Sequence, residues 1–332
     1  MRHARRICLC AAMTAVVLGW VIHSTPQAQT KSWTPPKTPW GHPDLQGIYT
    51  NKDEANTPLE RPAELAGRSA DSFTPEELAE LARQRQALAA KIAVGIGGAE
   101  TGAGPTHWYE HLQGRSSRPW FIIDPPDGRL PAMTPQAQKR EAAVAALNNT
   151  RNGEGRADSW LDRSLYDRCI TRGLPGSMMP AIYGNAYEIV QTPDSVAIRY
   201  EMIHETRIIP LDGRPRLSEK IRLYLGDARG RWEGSTLVVE TKNFTDRTHF
   251  GYNNRYNSEK FTLTERFTPT SPTTLQWEVT IDDPDVWTRP FTFTMPLTRD
   301  DSQQIFEYAC HEGNRGLEHI LRAARAEEQA GK

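Results

Sequence analysis

The sequence lacks the short motifs that mark nucleotide-binding proteins and serine hydrolases. It contains no Walker loop, no Rossmann fingerprint, no G-x-S-x-G elbow and no C-x-x-C pair. These absences disfavour nucleotide-dependent and serine-hydrolase chemistry, and we expect the protein to use no cofactor.

The sequence also lacks a block of basic residues. Its 40 Lys and Arg residues face 41 Asp and Glu residues, which gives a formal net charge of −1. Nucleic acids and anionic membrane surfaces attract strongly basic chains, so we expect neither as a partner. The 24 prolines and the 38% hydrophobic fraction predict a loop-rich protein rather than a helical bundle.

The first 28 residues have the three-part pattern of a secretory signal peptide. Arg2, Arg5 and Arg6 form a basic start, residues 7–22 are almost entirely apolar, and small residues around Ala28 offer a cleavage point. The apolar run is short for a transmembrane helix, although an uncleaved anchor is the alternative. We therefore expect export to the periplasm or the medium, with no membrane contact after cleavage.

Cysteine is scarce, with four residues in the whole chain. Cys8 and Cys10 belong to the predicted signal peptide, so the mature chain keeps Cys169 and Cys310. Two cysteines in an exported protein favour a disulfide bond. Two unpaired buried thiols are the alternative, and a nucleophilic cysteine is disfavoured because oxidising compartments discourage free reactive thiols.

The mature chain changes character along its length. Prolines prevent a regular helical or strand period directly after the signal peptide. Thr74-Pro75 and Thr134-Pro135 are typical helix starts. Short β-rich runs separated by turn residues begin near Pro180. The predicted division is a signal peptide at 1–28, an extended Pro-rich arm at 29–73, a helical and loop segment at 74–179, a β-barrel at 180–316 and a C-terminal helix at 317–332.

The β-rich runs predict the fold class. Eight or nine antiparallel strands in meander order, the last of them covering residues 303–310, indicate a mainly β protein with N-terminal helices and a lipocalin-like barrel. A β-sandwich is the alternative. Strand alternation then predicts which side chains point inward.

Two ionisable residues interrupt faces that are otherwise apolar. His204 follows Tyr200 in "SVAIRYEMIH", and Glu265 lies between Leu263 and Phe267 in "KFTLTERF". A histidine and a buried carboxylate lining one cavity would form an acid–base pair, with Tyr200, Trp277 and Phe293 contacting the substrate. Alternatively, an arginine or backbone group holds either residue in a structural network.

Polar residues also lie where the barrel should open. His311 follows the last predicted strand, Glu312 could orient it, and Arg172 lies in an irregular loop where it could meet an anionic group. Catalysis is therefore predicted at His204, Glu265 and His311, with Arg172 binding the substrate. A metal site built from the three catalytic candidates is a weaker option, and we expect no metal.

Several long stretches together resemble one protein family. The stretches "IIDPPDGRLP", "RCITRGLPGSMMPAIYGN", "GRWEGSTLVVETKNF" and "YACHEGN" are similar to motifs of a widespread, largely uncharacterised family of exported bacterial proteins. The resemblance covers nearly the whole mature chain. It implies export and one integrated architecture, and it carries no reaction and no catalytic residue.

Two functions follow from these observations. The first is an exported enzyme that uses acid–base chemistry, of lyase, isomerase or hydrolase type, on a small organic molecule bound in the barrel cavity. The alternative is a non-catalytic periplasmic protein that binds such a molecule through the aromatic side chains.

Overall fold

The structure is a computed structural model that describes residues 33–97, 109–148, 155–248 and 256–331. The predicted signal peptide lies outside these ranges. Within them, no helix combines the length and the apolar character that crossing a membrane requires.

One antiparallel sheet dominates the described chain. Its ten strands are β1 (Gly47–Thr50), β2 (Ile122–Asp124), β3 (Ala186–Gln191), β4 (Ser195–Tyr200), β5 (Thr206–Pro210), β6 (Asp227–Glu233), β7 (Thr236–Lys242), β8 (Thr262–Ser271), β9 (Thr274–Asp282) and β10 (Phe291–Arg299). The strand order is β5-β4-β3-β1-β10-β9-β8-β7-β6, and β2 pairs with β10 beside β1.

The sheet curls into a nearly closed barrel. Its two edge strands approach each other at Gly230 of β6, where an added Cβ would lie 2.8 Å from a methyl carbon of Ile209 in β5. Glycine therefore permits the close approach of the edges. The prediction of a mainly β, lipocalin-like barrel is confirmed.

Two strands come from outside the segment predicted to form the barrel. β1 inserts between β3 and β10, with Thr50 opposite both Ala186 and Thr298. Conversely, residues 303–310 form no strand. Because β1 and β2 already occupy the free edge of β10, the chain after Arg299 has no edge to pair with, and the predicted last strand is wrong.

The strand predicted to carry His204 also ends early. β4 stops at Tyr200, and Met202–His204 form a single 3-10 turn in which Ile203 has a φ of 63°. A left-handed β-branched residue breaks strand alternation. The placement of His204 on the inward face of a strand is therefore wrong, and its side chain lies outside the described part of the structure.

Three α-helices flank the barrel in the described ranges: α1 (Pro75–Gly97), α2 (Pro135–Asn148) and α3 (Arg315–Gln329). Thr74 and Glu77 form a capping box at the predicted start of α1, with hydrogen bonds of 2.9 and 3.3 Å. Arg325 fastens α3 by donating to the carbonyls of Ala157 and Asp158.

Candidate functional site

A disulfide bond joins Cys169 to Cys310, as predicted, with the two Cα atoms 5.6 Å apart. Asn314 adds a second link, because its side-chain amide donates to the carbonyl of Asp167 at 3.2 Å. The disulfide therefore holds the non-strand segment after β10 against the loop that carries Arg172.

This link assembles a group of half-buried polar side chains, which we call the Arg172 cluster: Arg172, Tyr166, Tyr183 and Tyr308. The Arg172 guanidinium lies 5.8 Å from the centre of the Tyr166 ring. The rings of Tyr183 and Tyr308 stack with their centres 6.4 Å apart. The cluster thus combines one cation with three phenols from two distant parts of the chain.

Arg172 forms no ion pair with a carboxylate among the residues that the structure describes, whereas Arg163 and Arg199 on either side of it in the sequence do. Its positive charge opposes the rise in pKa that burial causes at Tyr166, at Tyr308 and at the fully buried Tyr187. A half-buried cation that forms no ion pair can receive an anion.

The phenols themselves stay protonated at neutral pH. Burial raises the pKa of Tyr183 to about 12, and hydrogen bonding and charge coupling with Tyr308 act in the same direction. At physiological pH these hydroxyls are therefore protonated hydrogen-bond donors rather than bases, and the Tyr166 hydroxyl donates to Sδ of Met202 at 3.5 Å.

We expect stability to fall between pH 10 and 12. Burial raises the pKa values of Tyr49 and Tyr183 from 10.0 to about 12. A phenol with a raised folded-state pKa stabilises the fold fully below its unfolded pKa, and this contribution is lost as pH rises through the folded value. The midpoint of urea unfolding should decrease across this range.

Tyr183→Phe provides the control for this pH dependence. The variant should lose less stability over the same range, because one of the shifted phenols is gone. An unfolding midpoint that is flat to pH 12 in the wild-type protein would contradict the expected burial of these hydroxyls.

The barrel interior holds Glu265 in a structural network. Arg207 donates two hydrogen bonds to its carboxylate, one through each terminal nitrogen, and the indole Nε1 of Trp277 donates a third at 3.1 Å. All three side chains are buried. Burial lowers the pKa of Arg207, but the adjacent Glu265 carboxylate outweighs that effect and the pKa is raised.

The predicted ligand contacts in the interior pack against this network. The rings of Trp277 and Phe293 meet edge to face with centres 5.6 Å apart, and the Tyr200 and Tyr187 rings do so at 6.1 Å. The Tyr200 hydroxyl and Nε of Arg207 are buried with no hydrogen-bond partner among the described residues. Tyr187 packs against Tyr200, and the charge of Arg172 opposes the rise in its pKa.

The structure does not bring His311 into this region. His311 is exposed in the turn before α3, and Glu312 beside it is exposed as well. Among the described residues, no group of three or more His, Cys, Asp and Glu side chains is arranged to hold a metal ion. Of the predicted site residues, the structure thus brings together Tyr200, Glu265, Trp277 and Phe293 in the barrel interior, and it places Arg172 in the Arg172 cluster.

Sequence reasoning did not find Arg207, Tyr166 and Tyr308 as members of the site. A signal existed for Arg207, because it alternates with Ile209 in β5 and so shares the inward face. No local signal existed for Tyr308, because its position depends on the loss of the predicted last strand and on the disulfide.

Comparison of the chain with protein-family models, curated proteins and solved structures yields no match in any of the three.

Proposed function

We propose that the protein is exported and binds a small organic anion at the Arg172 cluster. The observation that carries the proposal is the half-buried Arg172 guanidinium, which forms no ion pair with a carboxylate among the described residues. It lies 5.8 Å from the centre of the Tyr166 ring, and its charge opposes the rise in the pKa of Tyr166 and Tyr308.

The chemistry of the cluster suits a carboxylate on an organic body. A guanidinium offers paired N–H donors that match a carboxylate, and protonated phenols add O–H donors beside it. The ring faces of Tyr183 and Tyr308 offer apolar contact area to the rest of the ligand. Partial burial strengthens the electrostatic attraction, because water screens it less.

Export is supported by two features. The first 28 residues have the pattern of a signal peptide, and the Cys169–Cys310 disulfide is the kind of bond that persists in oxidising compartments. The resemblance to a family of exported bacterial proteins agrees with both.

An acid–base enzyme is the second candidate, and one residue favours it. Glu201, at the end of β4, is half-buried, and burial raises the pKa of its carboxyl group. It accepts a hydrogen bond from the backbone N–H of Ala186 at 3.1 Å. Glu265 supports this candidate less, because Arg207 and Trp277 occupy both of its oxygens.

Arg172→Met tests the proposal. Isothermal titration calorimetry of the purified mature protein with benzoate, succinate and inorganic phosphate should reveal saturable binding of a carboxylate. A hydrogen bond to a charged group is worth about 1.5–3 kcal/mol, so Arg172→Met should weaken that binding about 10- to 100-fold.

Arg315→Met is the matched control, because it removes the same charge from an exposed position at the start of α3. It should bind the probe as the wild-type protein does. Equal weakening in both variants, or no binding of any probe, would contradict an anion site at Arg172. A probe recovered chemically changed would favour the enzyme, and an unchanged one would favour the binding protein.

A further inference from the structure

A cavity lies outside the barrel strands, between α2 and the loops that precede β8 and follow β9. Its volume is about 250 Å³. Apolar side chains from both sides form much of its wall, among them Met133, Val144 and Val286. Arg140 and Tyr256 contribute a polar edge, with the guanidinium 5.1 Å from the ring centre. We call this space the α2 groove.

The sequence of α2 explains why the groove is open. The helix contributes short side chains to the groove at Ala137, Val144 and Ala145, and of these Ala137 also belongs to the buried core. Its start is fastened independently, because the Thr134 hydroxyl donates to the carbonyl of Asp285 at 2.6 Å. The first turn of the helix is thus held by this hydrogen bond and by the burial of Ala137, and the short side chains of the later turns leave the space open.

Arg140 supplies the second attachment. Its guanidinium donates to the carbonyl of Asp246 at 2.9 Å and to that of Asn257 at 3.4 Å. These bonds set the distance between the middle of the helix and the loops. A groove with fixed walls binds a ligand without a large ordering cost.

The charges around the groove balance. Arg140 and Glu141 of the helix carry opposite charges, and Asp285 on the opposite wall pairs with Lys260 at 2.7 Å. Hence no net charge attracts an ion, in contrast with the Arg172 cluster. A neutral ligand fits this balance, because burying an unpaired charge in the groove would be costly.

The volume sets the size of the ligand. A dry cavity of about 150 Å³ in another protein holds benzene. A space of about 250 Å³ therefore suits one substituted aromatic ring or a fused pair of rings. It is too small for a peptide segment or a lipid chain of ordinary length.

We propose that the α2 groove is a second binding site, which takes a neutral aromatic molecule of one or two rings with a single polar substituent. The ring lies against Val144 and Val286, and the substituent faces Arg140 and Tyr256. This site is separate from the Arg172 cluster in both position and ligand charge.

Fluorescence or calorimetric titration of the mature protein with indole and with benzyl alcohol tests the site. We expect saturable binding of at least one of them. Val144→Trp fills the groove and should weaken that binding by about tenfold or more, and Ala145→Phe is a second filling variant at an exposed position of the same wall. Arg172→Met should bind these probes as the wild-type protein does.

Ala143→Trp is the matched control, because residue 143 is exposed on the same helix and does not line the groove. It should leave the affinity unchanged. The proposal is overturned if neither probe binds saturably, if both filling variants bind like the wild-type protein, or if Ala143→Trp weakens binding as strongly as they do.

Discussion

Replacing Cys169 and Cys310 together by serine should lower the free energy of unfolding by about 5 kcal/mol. The bond spans 141 residues, and the entropy lost by closing a loop of that length in the unfolded chain gives about this value. Urea denaturation of the oxidised protein and of the double variant measures the difference. A loss below about 2 kcal/mol would contradict this entropic role.

The same double variant should also disturb the Arg172 cluster. Tyr308 lies two residues before Cys310, and without the bond its segment is held to the loop by Asn314. We expect the pKa of Tyr183 to fall from about 12 toward its ordinary value of 10.0 in an absorbance titration. Wild-type protein reduced with dithiothreitol should behave like the variant, and the oxidised wild-type protein is the control.

Arg207→Met should destabilise the protein by about 3–5 kcal/mol, because it leaves the Glu265 carboxylate buried without its cation. The pair is almost completely buried, with 3% and 0% of the side chains exposed. The double variant Arg207→Met/Glu265→Leu should recover most of the loss, since an apolar pair of similar size no longer buries a charge. Chemical denaturation of the wild-type protein and of these two variants measures both the loss and the recovery.

An exposed pair provides the comparison. Arg231 and Glu233 of β6 form an ion pair at 2.7 Å with side chains 60% and 40% exposed, and Arg231→Met should cost less than about 1 kcal/mol. If Arg207→Met were equally mild, the buried pair would have no structural role. Glu265 would then return as a candidate for chemistry.

Much of the fold could be predicted because its signals are local. Thr74 and Glu77 lie three residues apart, as a capping box requires. Glu265 was placed on the inward face by the alternation of β8, and the structure buries it there. Its partner was foreseen only as a class, an arginine or backbone group, because a sequence shows faces but does not show which strands become neighbours.

The parts that could not be predicted depend on distant contacts. β1 is a four-residue strand in a Pro-rich segment, and its period is too short to identify. The prediction for His204 is wrong because Ile203, in a left-handed backbone conformation, ends the alternation of inward and outward side chains before His204. The α2 groove is open because several side chains that line it are short, and no sequence pattern predicts a cavity of this kind.

The insertion of β1 has a consequence for how the chain reaches its native state. In the described sheet, β1 is the hydrogen-bonded link between β3–β5 and β6–β10, and the backbone of Ile48 accepts from Asp300 far along the chain. Such long-range pairing slows folding, because the conformational entropy lost on closing the long intervening loop must be met before the contact forms. The barrel therefore assembles only after β10 has been synthesised, and a ribosome-bound chain that ends before Phe291 still lacks the partner of β1.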